Sequence, residues 1–175
     1  NEFEKMEVNY LIFAYRGFSG NKGKPSELGL YEDALAAKKW LNSKEIEDKD
    51  IILYGESLGT AIAINLAKDN SFSGIILESP FTSMESLAKQ YYPYLPVKIL
   101  LKDKFNSIEK LNMNKAPLLV MHGKKDKIVP FSMGKKMYSE YKSQKYSYFQ
   151  ENDDHMMDFN ENLVRSIKLF ISNLN

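Results

Sequence analysis

The sequence contains no cysteine, and this absence excludes disulfide bonds, thiol nucleophiles and thiolate metal sites. An excess of either charge is also missing, because 24 Lys and Arg stand against 23 Asp and Glu, for a net charge of +1. Such a balance provides no field that attracts a polyanion. We therefore expect no nucleic-acid partner.

Long apolar runs and targeting signals are absent as well. No stretch of the 175 residues is long enough to cross a bilayer, and no signal segment follows Asn1. The missing initiator Met indicates a piece of a longer product, in which a membrane anchor could lie upstream. With 43% apolar residues, residues 1–175 are expected to form one soluble domain, with the cytoplasm as the default location.

The most informative motif that is present is Gly55-Glu56-Ser57-Leu58-Gly59. It follows the apolar run 51–54 and precedes the helix-prone run 60–67, which predicts a strand, a sharp turn and a helix. A G-x-S-x-G elbow needs this context, because the tight turn lifts the serine hydroxyl above the sheet. Ser57 is therefore a candidate nucleophile, with a helix N-cap as the alternative interpretation.

A carboxylate follows another apolar run. Residues 118–121 are typical of a strand, a turn containing Gly123 follows, and Asp126 lies just beyond it. A carboxylate in this place suits the acid that orients a catalytic histidine. A turn residue, or a cap for a helix near Pro130, is the alternative.

Only two histidines are present, so a serine mechanism with an imidazole base must use His122 or His155. His122 ends a predicted strand, where it is expected to pack and to hydrogen-bond the backbone. His155 lies beyond the acid and after the strand-like stretch 146–149, which favours it as the base. Its alternative is a solvated loop residue, held by neighbouring carboxylates. The order Ser57, Asp126, His155 is the one found in α/β-hydrolases.

Apolar runs and amphipathic periodicities alternate along the chain. We predict a buried central strand at 9–15 and a helix capped by Ser26, followed by strand 51–54, helix 59–68, strand 74–78, strand 117–121, helix 131–142, strand 146–150 and helix 158–173. This alternation predicts an α/β fold, a three-layer αβα sandwich with a mostly parallel central sheet. Arg16 and Glu78 follow strand ends and are interpreted as structural.

The alternation breaks between Pro80 and about Lys115, and we interpret residues 80–115 as a short cap-like segment of the single domain. Its stretch 91–96 contains three tyrosines and two prolines that stop helices. These rings could hold an acyl or hydrophobic leaving group. The alternative is that they pack against the domain as ordinary semi-buried aromatics.

Several stretches together make the chain similar to small serine hydrolases of the α/β-hydrolase superfamily, related to serine aminopeptidases and to abhydrolase-type protein depalmitoylases. They are Tyr15-Arg16-Gly17-Phe18, Gly23-Lys24-Pro25-Ser26-Glu27, Gly55 to Gly59, Glu78-Ser79-Pro80-Phe81-Thr82-Ser83, Pro96-Val97-Lys98 and His122 to Pro130. The resemblance implies Ser57 as nucleophile, Asp126 as the acid that orients the imidazole, and His155 as general base. It also implies the Leu58 backbone N–H as one oxyanion donor.

Two departures from this family pattern stand out. Asp153-Asp154 occupies places where members commonly have a small-residue turn. The three strands that usually precede the one at 9–15 are also missing, including the strand whose loop supplies the second oxyanion donor. Either strands 9–15 and 51–54 pair directly, or the chain is a fragment, a degraded product or one that borrows a strand from a partner. A sheet edge left exposed in this way would be prone to self-association.

The sequence thus predicts a serine hydrolase that cleaves ester or thioester bonds of a small-molecule or acylated substrate through an acyl-enzyme, without a metal or cofactor. Its activity depends on how the second oxyanion donor is replaced. The alternative is a non-catalytic remnant of the fold that acts as a binding module. A flavodoxin-like ligand-binding domain is disfavoured, because no glycine loop that could cradle a phosphate is found.

Overall fold

The computed structural model describes residues 8–174, and within this range four strands alternate with seven helices. The strands are β1 (Ile52–Glu56), β2 (Gly74–Glu78), β3 (Leu118–Gly123) and β4 (Lys145–Gln150). The helices are α1 (Glu27–Asn42), α2 (Leu58–Ala67), α3 (Met84–Tyr91), α4 (Val97–Leu100), α5 (Ser107–Lys110), α6 (Phe131–Glu140) and α7 (Glu161–Ser172). Two short 3-10 turns occupy Asp48–Asp50 and Leu111–Met113.

The four strands form one sheet in the order β1-β2-β3-β4, and each neighbouring pair is parallel. The inner strands β2 and β3 are buried along their whole length. Because the pairs are parallel, the carboxyl ends of all four strands lie along one edge of the sheet. The loops that follow these strands can therefore bring distant residues together.

Helices cover both faces of the sheet. Alternate residues of the inner strands point to opposite sides, so Ile75 packs with α2 and α6 while Ile76 packs with α7. On the α7 face, Ile167 and Phe170 are fully buried against the strands. Helix α1 packs outside α2, where Leu30 joins a further apolar cluster. The predicted αβα sandwich with a parallel sheet is confirmed.

Most of the predicted elements are present within a few residues of their expected bounds. Strand 74–78 has the predicted limits, and the helix that Ser26 was expected to cap begins at Glu27. The Ser26 hydroxyl accepts the N–H of Gly29 at 3.2 Å, as an N-cap does. Periodicity and capping signals were sufficient for these elements.

The predicted central strand at residues 9–15 is wrong. Residues 8–15 lie outside any helix or strand, they do not pair with β1, and the Ile12 side chain is 78% exposed. A strand requires a partner for its backbone N–H and C=O groups, and none of the four described strands pairs with this run. The segment is instead held by Arg16, whose guanidinium and backbone N–H bond the Asp33 carboxylate, which confirms a structural role for Arg16.

The cap-like segment contains the short helices α3, α4 and α5. Its tyrosines differ in packing: Tyr91 and Tyr92 are half-buried, as ordinary packing predicts, whereas Tyr94 is 97% exposed. The expectation of ordinary packing is therefore wrong for Tyr94, which lies between α3 and α4. Within residues 8–174, no helix combines the length and the hydropathy that a bilayer crossing requires.

Gly55 and Gly59 offer a matched test of how closely α2 approaches β1. A Cβ on Gly55 would lie 2.5 Å from the carbonyl oxygen of Gly59, whereas a Cβ on Gly59 would meet no atom within 4 Å. We expect Gly55→Ala to lower the free energy of unfolding by about 1–3 kcal/mol, because α2 must move away from the strand. Gly59→Ala, in a helix, is expected to leave stability unchanged or to raise it by up to about 1 kcal/mol.

Denaturant unfolding of the two variants and the wild type measures both effects. Equal stabilities for the two variants would contradict the close approach of the strand and the helix at Gly55.

Candidate active site

Ser57 occupies the turn between β1 and α2. Its backbone has φ +49° and ψ −113°, which is rarely adopted by residues other than glycine. Its N–H donates to the carbonyl of Glu78 at 2.9 Å, which ties the turn to the neighbouring strand. Ser57 occupies the N-cap position of α2, but its side chain makes no capping hydrogen bond, so a cap does not account for the serine. The hydroxyl points instead toward the loop that contains His155.

Asp126 lies three residues beyond β3 and is buried. Its Oδ1 accepts the backbone N–H groups of Ile128 and Val129, each at 2.8 Å. Asp126 is therefore also a turn residue, as the alternative interpretation predicted. That role uses only Oδ1 and leaves Oδ2 for other contacts. The alternative of a helix cap is wrong, because α6 has no side-chain cap.

His155 connects the other two residues. Its Nδ1 is 2.8 Å from Oδ2 of Asp126, and its Nε2 is 3.1 Å from Oγ of Ser57. Since a carboxylate accepts, we assign the Nδ1 proton to the Asp126 contact, which leaves Nε2 free to accept from the serine hydroxyl. His155 is only 9% exposed, so the alternative of a solvated loop residue is wrong.

The His155 loop is fixed to the carboxyl end of β3 at a close contact. A Cβ on Gly123 would lie 2.3 Å from the carbonyl oxygen of Asp153 and 2.4 Å from that of Asp154, so only glycine fits there. The N–H of Lys125 donates to the carbonyl of Asp153 at 2.9 Å. The two acidic residues before His155 thus contribute backbone contacts that hold the loop against β3.

The carboxyl end of β2 supports the same loop from another side. The Ser79 hydroxyl is fully buried and donates to the carbonyl of His155 at 3.1 Å. The Glu78 carboxyl accepts the backbone N–H of Met157 and is hydrogen-bonded to the Tyr54 hydroxyl. Burial raises the pKa of Glu78 above its ordinary value. Glu78 is structural, as the sequence indicated, but its role is to hold the backbone beside His155.

Ser79 was missed by the sequence reasoning, which assigned it no role. Its backbone φ of +50° is unusual for serine, and its N–H donates to the carbonyl of Met121 at 2.9 Å. The sequence offered only a positional signal for this role, because Ser79 directly follows β2, the strand beside the elbow strand β1. Serines at strand ends are too common for that signal to single out a hydrogen bond to one loop carbonyl.

His122 approaches the same Asp126 carboxylate oxygen as His155. Its Nε2 lies 2.9 Å from the carbonyl oxygen of Val129 and 3.1 Å from Oδ2 of Asp126. Its Nδ1 is buried without a hydrogen-bond partner among the described residues and faces Gly134, where an added Cβ would lie 2.1 Å away. The expectation that His122 packs and bonds the backbone is confirmed. Burial lowers the pKa of His122 below its ordinary value.

Leu58 is the first residue of α2 and directly follows Ser57. The first N–H groups of a helix lack carbonyl partners within the helix and carry its positive partial charge. The Leu58 N–H is therefore available to an anion that develops beside the Ser57 hydroxyl. Within residues 8–174, no group of three or more His, Cys, Asp or Glu side chains is arranged to hold a metal ion.

A parallel sheet with a G-x-S-x-G elbow, followed along the chain by an acid and a histidine, defines the α/β-hydrolase class. The esterase Pf2001 of Pyrococcus furiosus has this fold: its structure superposes with a TM-score of 0.75, at 19% identity, over 99% of this chain and 72% of that one. The family model for the prolyl oligopeptidase family matches residues 24–167. This chain therefore belongs to the prolyl oligopeptidase family of α/β-hydrolases.

Sequence relatives include the uncharacterized protein Rv2307c of Mycobacterium tuberculosis, which is 41% identical over 133 residues, or 75% of this chain and 47% of the relative. The lysophosphatidylserine lipase ABHD12 of Danio rerio is 38% identical over 151 residues, or 76% of this chain and 39% of the lipase. The chain thus spans less than half the length of these curated relatives.

The lowered pKa of His122 predicts how stability depends on pH. The unfolded chain binds this proton near the ordinary value of 6.5, whereas the folded chain binds it only at lower pH. The contribution of His122 is therefore complete above about pH 6.5 and is lost on acidification, by at most about 1.4 kcal/mol per pH unit. We expect unfolding free energies between about pH 8 and pH 5 to fall less steeply in His122→Gln than in the wild type.

The variant keeps an amide that can donate to Val129, so the comparison isolates the titration. Parallel pH profiles for the wild type and His122→Gln would contradict this assignment.

Proposed function

We propose that this chain is a serine hydrolase that cleaves carboxylic ester or thioester bonds through an acyl-enzyme. The observation that carries the proposal is the continuous line of hydrogen bonds from Ser57 Oγ through both nitrogens of His155 to Asp126 Oδ2. This is the arrangement that activates a serine hydroxyl in acyl transfer. Similarity to a lysophosphatidylserine lipase supports ester hydrolysis as the reaction class.

In the first half-reaction, His155 Nε2 takes the proton of Ser57 as Oγ attacks the acyl carbon. Asp126, on Nδ1, stabilises the imidazolium that forms and keeps the ring oriented. The tetrahedral intermediate then collapses, the alcohol or thiol leaves with the proton from Nε2, and the acyl group stays on Ser57. In the second half-reaction, water loses a proton to Nε2 and attacks the ester, which releases the acid and restores Ser57.

The negative charge of the tetrahedral intermediate requires hydrogen-bond donors. We assign the Leu58 N–H as one of them, because it follows Ser57 at the start of α2. We assign no second donor among residues 8–174. Removing one donor of such a pair typically costs about 10²–10³ in kcat, so we expect slow turnover when Leu58 acts alone.

Ester and thioester substrates are favoured over peptides. The described site offers no residue that marks recognition of a substrate amine or of a side chain next to the scissile bond. An acylated small molecule therefore fits the proposal better than a peptide, although the family is named after an oligopeptidase. No cofactor takes part in the proposed reaction.

The alternative is a non-catalytic binding module that retains part of the fold. Two observations favour it: β1 is an edge strand of the described sheet, and the apolar run at residues 10–13 is exposed and lies outside any helix or strand. Such a module would self-associate through this sheet edge and would not turn over an ester. A folded monomer that hydrolyses esters in a Ser57-dependent manner excludes it.

The test is hydrolysis of a short-chain p-nitrophenyl ester by four proteins: the wild type, Ser57→Ala, Asp126→Asn and the control Ser132→Ala, which changes an exposed serine of α6. We expect Ser57→Ala to fall to background and Ser132→Ala to match the wild type. Asp126→Asn retains an oxygen for the two backbone N–H groups but holds the wrong imidazole tautomer, so we expect its kcat to fall by about 10³–10⁴.

Unfolding curves confirm that each variant is folded before its rate is interpreted. Turnover that persists in Ser57→Ala would refute the proposal, because the reaction would then use a nucleophile other than the Ser57 hydroxyl.

A further inference from the structure

Exposed apolar side chains are concentrated in one part of the cap-like segment. Six large apolar or aromatic residues between positions 91 and 100 are at least half exposed: Tyr91, Tyr92, Tyr94, Leu95, Ile99 and Leu100. Among them, Tyr94 is 97% and Ile99 83% exposed. Exposed apolar side chains concentrated in one short segment of a folded domain are typical of an interaction site.

The segment is anchored so that these side chains cannot fold back onto the domain. Val97, at the start of α4, is buried, while Ile99 and Leu100 of the same helical turn face outward. The Tyr91 hydroxyl donates to the carbonyl of Ile128 at 2.7 Å and also contacts the carbonyl of Lys127. The apolar surface is thus fixed to the loop that directly follows Asp126.

The same segment is rich in positive charge. Residues 89–104 contain four lysines, Lys89, Lys98, Lys102 and Lys104, all of them exposed. The one acidic residue in this range is Asp103, whose carboxylate accepts the N–H of Glu27 at 2.7 Å. The whole chain carries a net charge of only +1, so positive charge is locally concentrated here.

We propose that residues 89–104 dock the protein on the surface of an anionic lipid bilayer. Tyrosine and aliphatic side chains enter the boundary between headgroups and acyl chains, while lysines extend to anionic headgroups. A second copy of the chain fits less well, because two such surfaces would bring lysines against lysines. An apolar protein groove would use the aliphatic residues but would leave the four lysines without a function.

Docking in this orientation brings the loop after Asp126 to the lipid, and Ile128 in that loop is itself 56% exposed. An acyl ester in the bilayer would then reach Ser57 without crossing bulk water, a consequence that depends on the proposed hydrolase function. The docking itself does not depend on it, because lipid binding is measured without a substrate.

The test is co-sedimentation with vesicles of phosphatidylcholine mixed with phosphatidylglycerol, and with vesicles of phosphatidylcholine alone. We expect the wild type to bind the anionic vesicles, and binding to weaken as salt is added. Two double variants, Ile99→Ser with Leu100→Ser and Lys98→Glu with Lys102→Glu, are each expected to lower the partition coefficient at least about tenfold.

Matched controls change equally exposed residues elsewhere. Trp40→Ser removes a half-exposed aromatic of α1, and Lys135→Glu with Lys136→Glu reverses two exposed lysines of α6. These controls should bind the anionic vesicles as the wild type does. All variants should hydrolyse a soluble ester at the wild-type rate, so a failure of docking is distinguishable from a failure of the hydrolase proposal.

Absence of binding to the anionic vesicles would overturn the proposal, as would equal binding to both kinds of vesicle or equal losses in the controls. Sedimentation velocity without lipid provides a further check. A concentration-dependent dimer that the Ile99 and Leu100 substitutions abolish would assign the surface to a second copy instead.

Discussion

The buried carboxylate of Asp126 is the interaction on which the candidate site depends. Oδ1 accepts two backbone N–H groups of its own turn, and Oδ2 faces one nitrogen each of His155 and His122. A buried carboxylate is costly unless donors surround it. Here the donors that compensate for burial also fix the loop after β3 and aim His155 at Ser57, so packing and the proposed chemistry rely on the same contacts.

The sheet provides the second constraint. Ser57 and Ser79 follow the ends of adjacent strands, and both have a backbone φ near +50°, a conformation that is unfavourable for serine. Each is held by a bond to the next strand, since Ser57 N–H donates to Glu78 and Ser79 N–H donates to Met121. The parallel pairing thus continues past the strand ends into the turns. It places the Ser57 hydroxyl at the His155 ring and the Ser79 hydroxyl at the His155 carbonyl.

The sequence predicted the inner part of this structure well. Strand 74–78 and the elbow at Ser57 could be predicted from the sequence, because an apolar run, a glycine turn and a helical run occur in a fixed order. The strand predicted at 9–15 is absent from the structure, because an apolar run alone indicates burial potential, whereas a strand exists only where a neighbour supplies hydrogen bonds. The Ser79 contact with His155 and the exposure of Tyr94 depend on tertiary packing that no local pattern encodes.

Covalent labelling of the folded chain with a fluorophosphonate, followed by intact mass and peptide mapping, tests the central claim most directly. The account predicts one adduct per chain, located on Ser57, because His155 and Asp126 activate that hydroxyl alone. A folded chain that is not labelled, or one that is labelled at another serine, would contradict it.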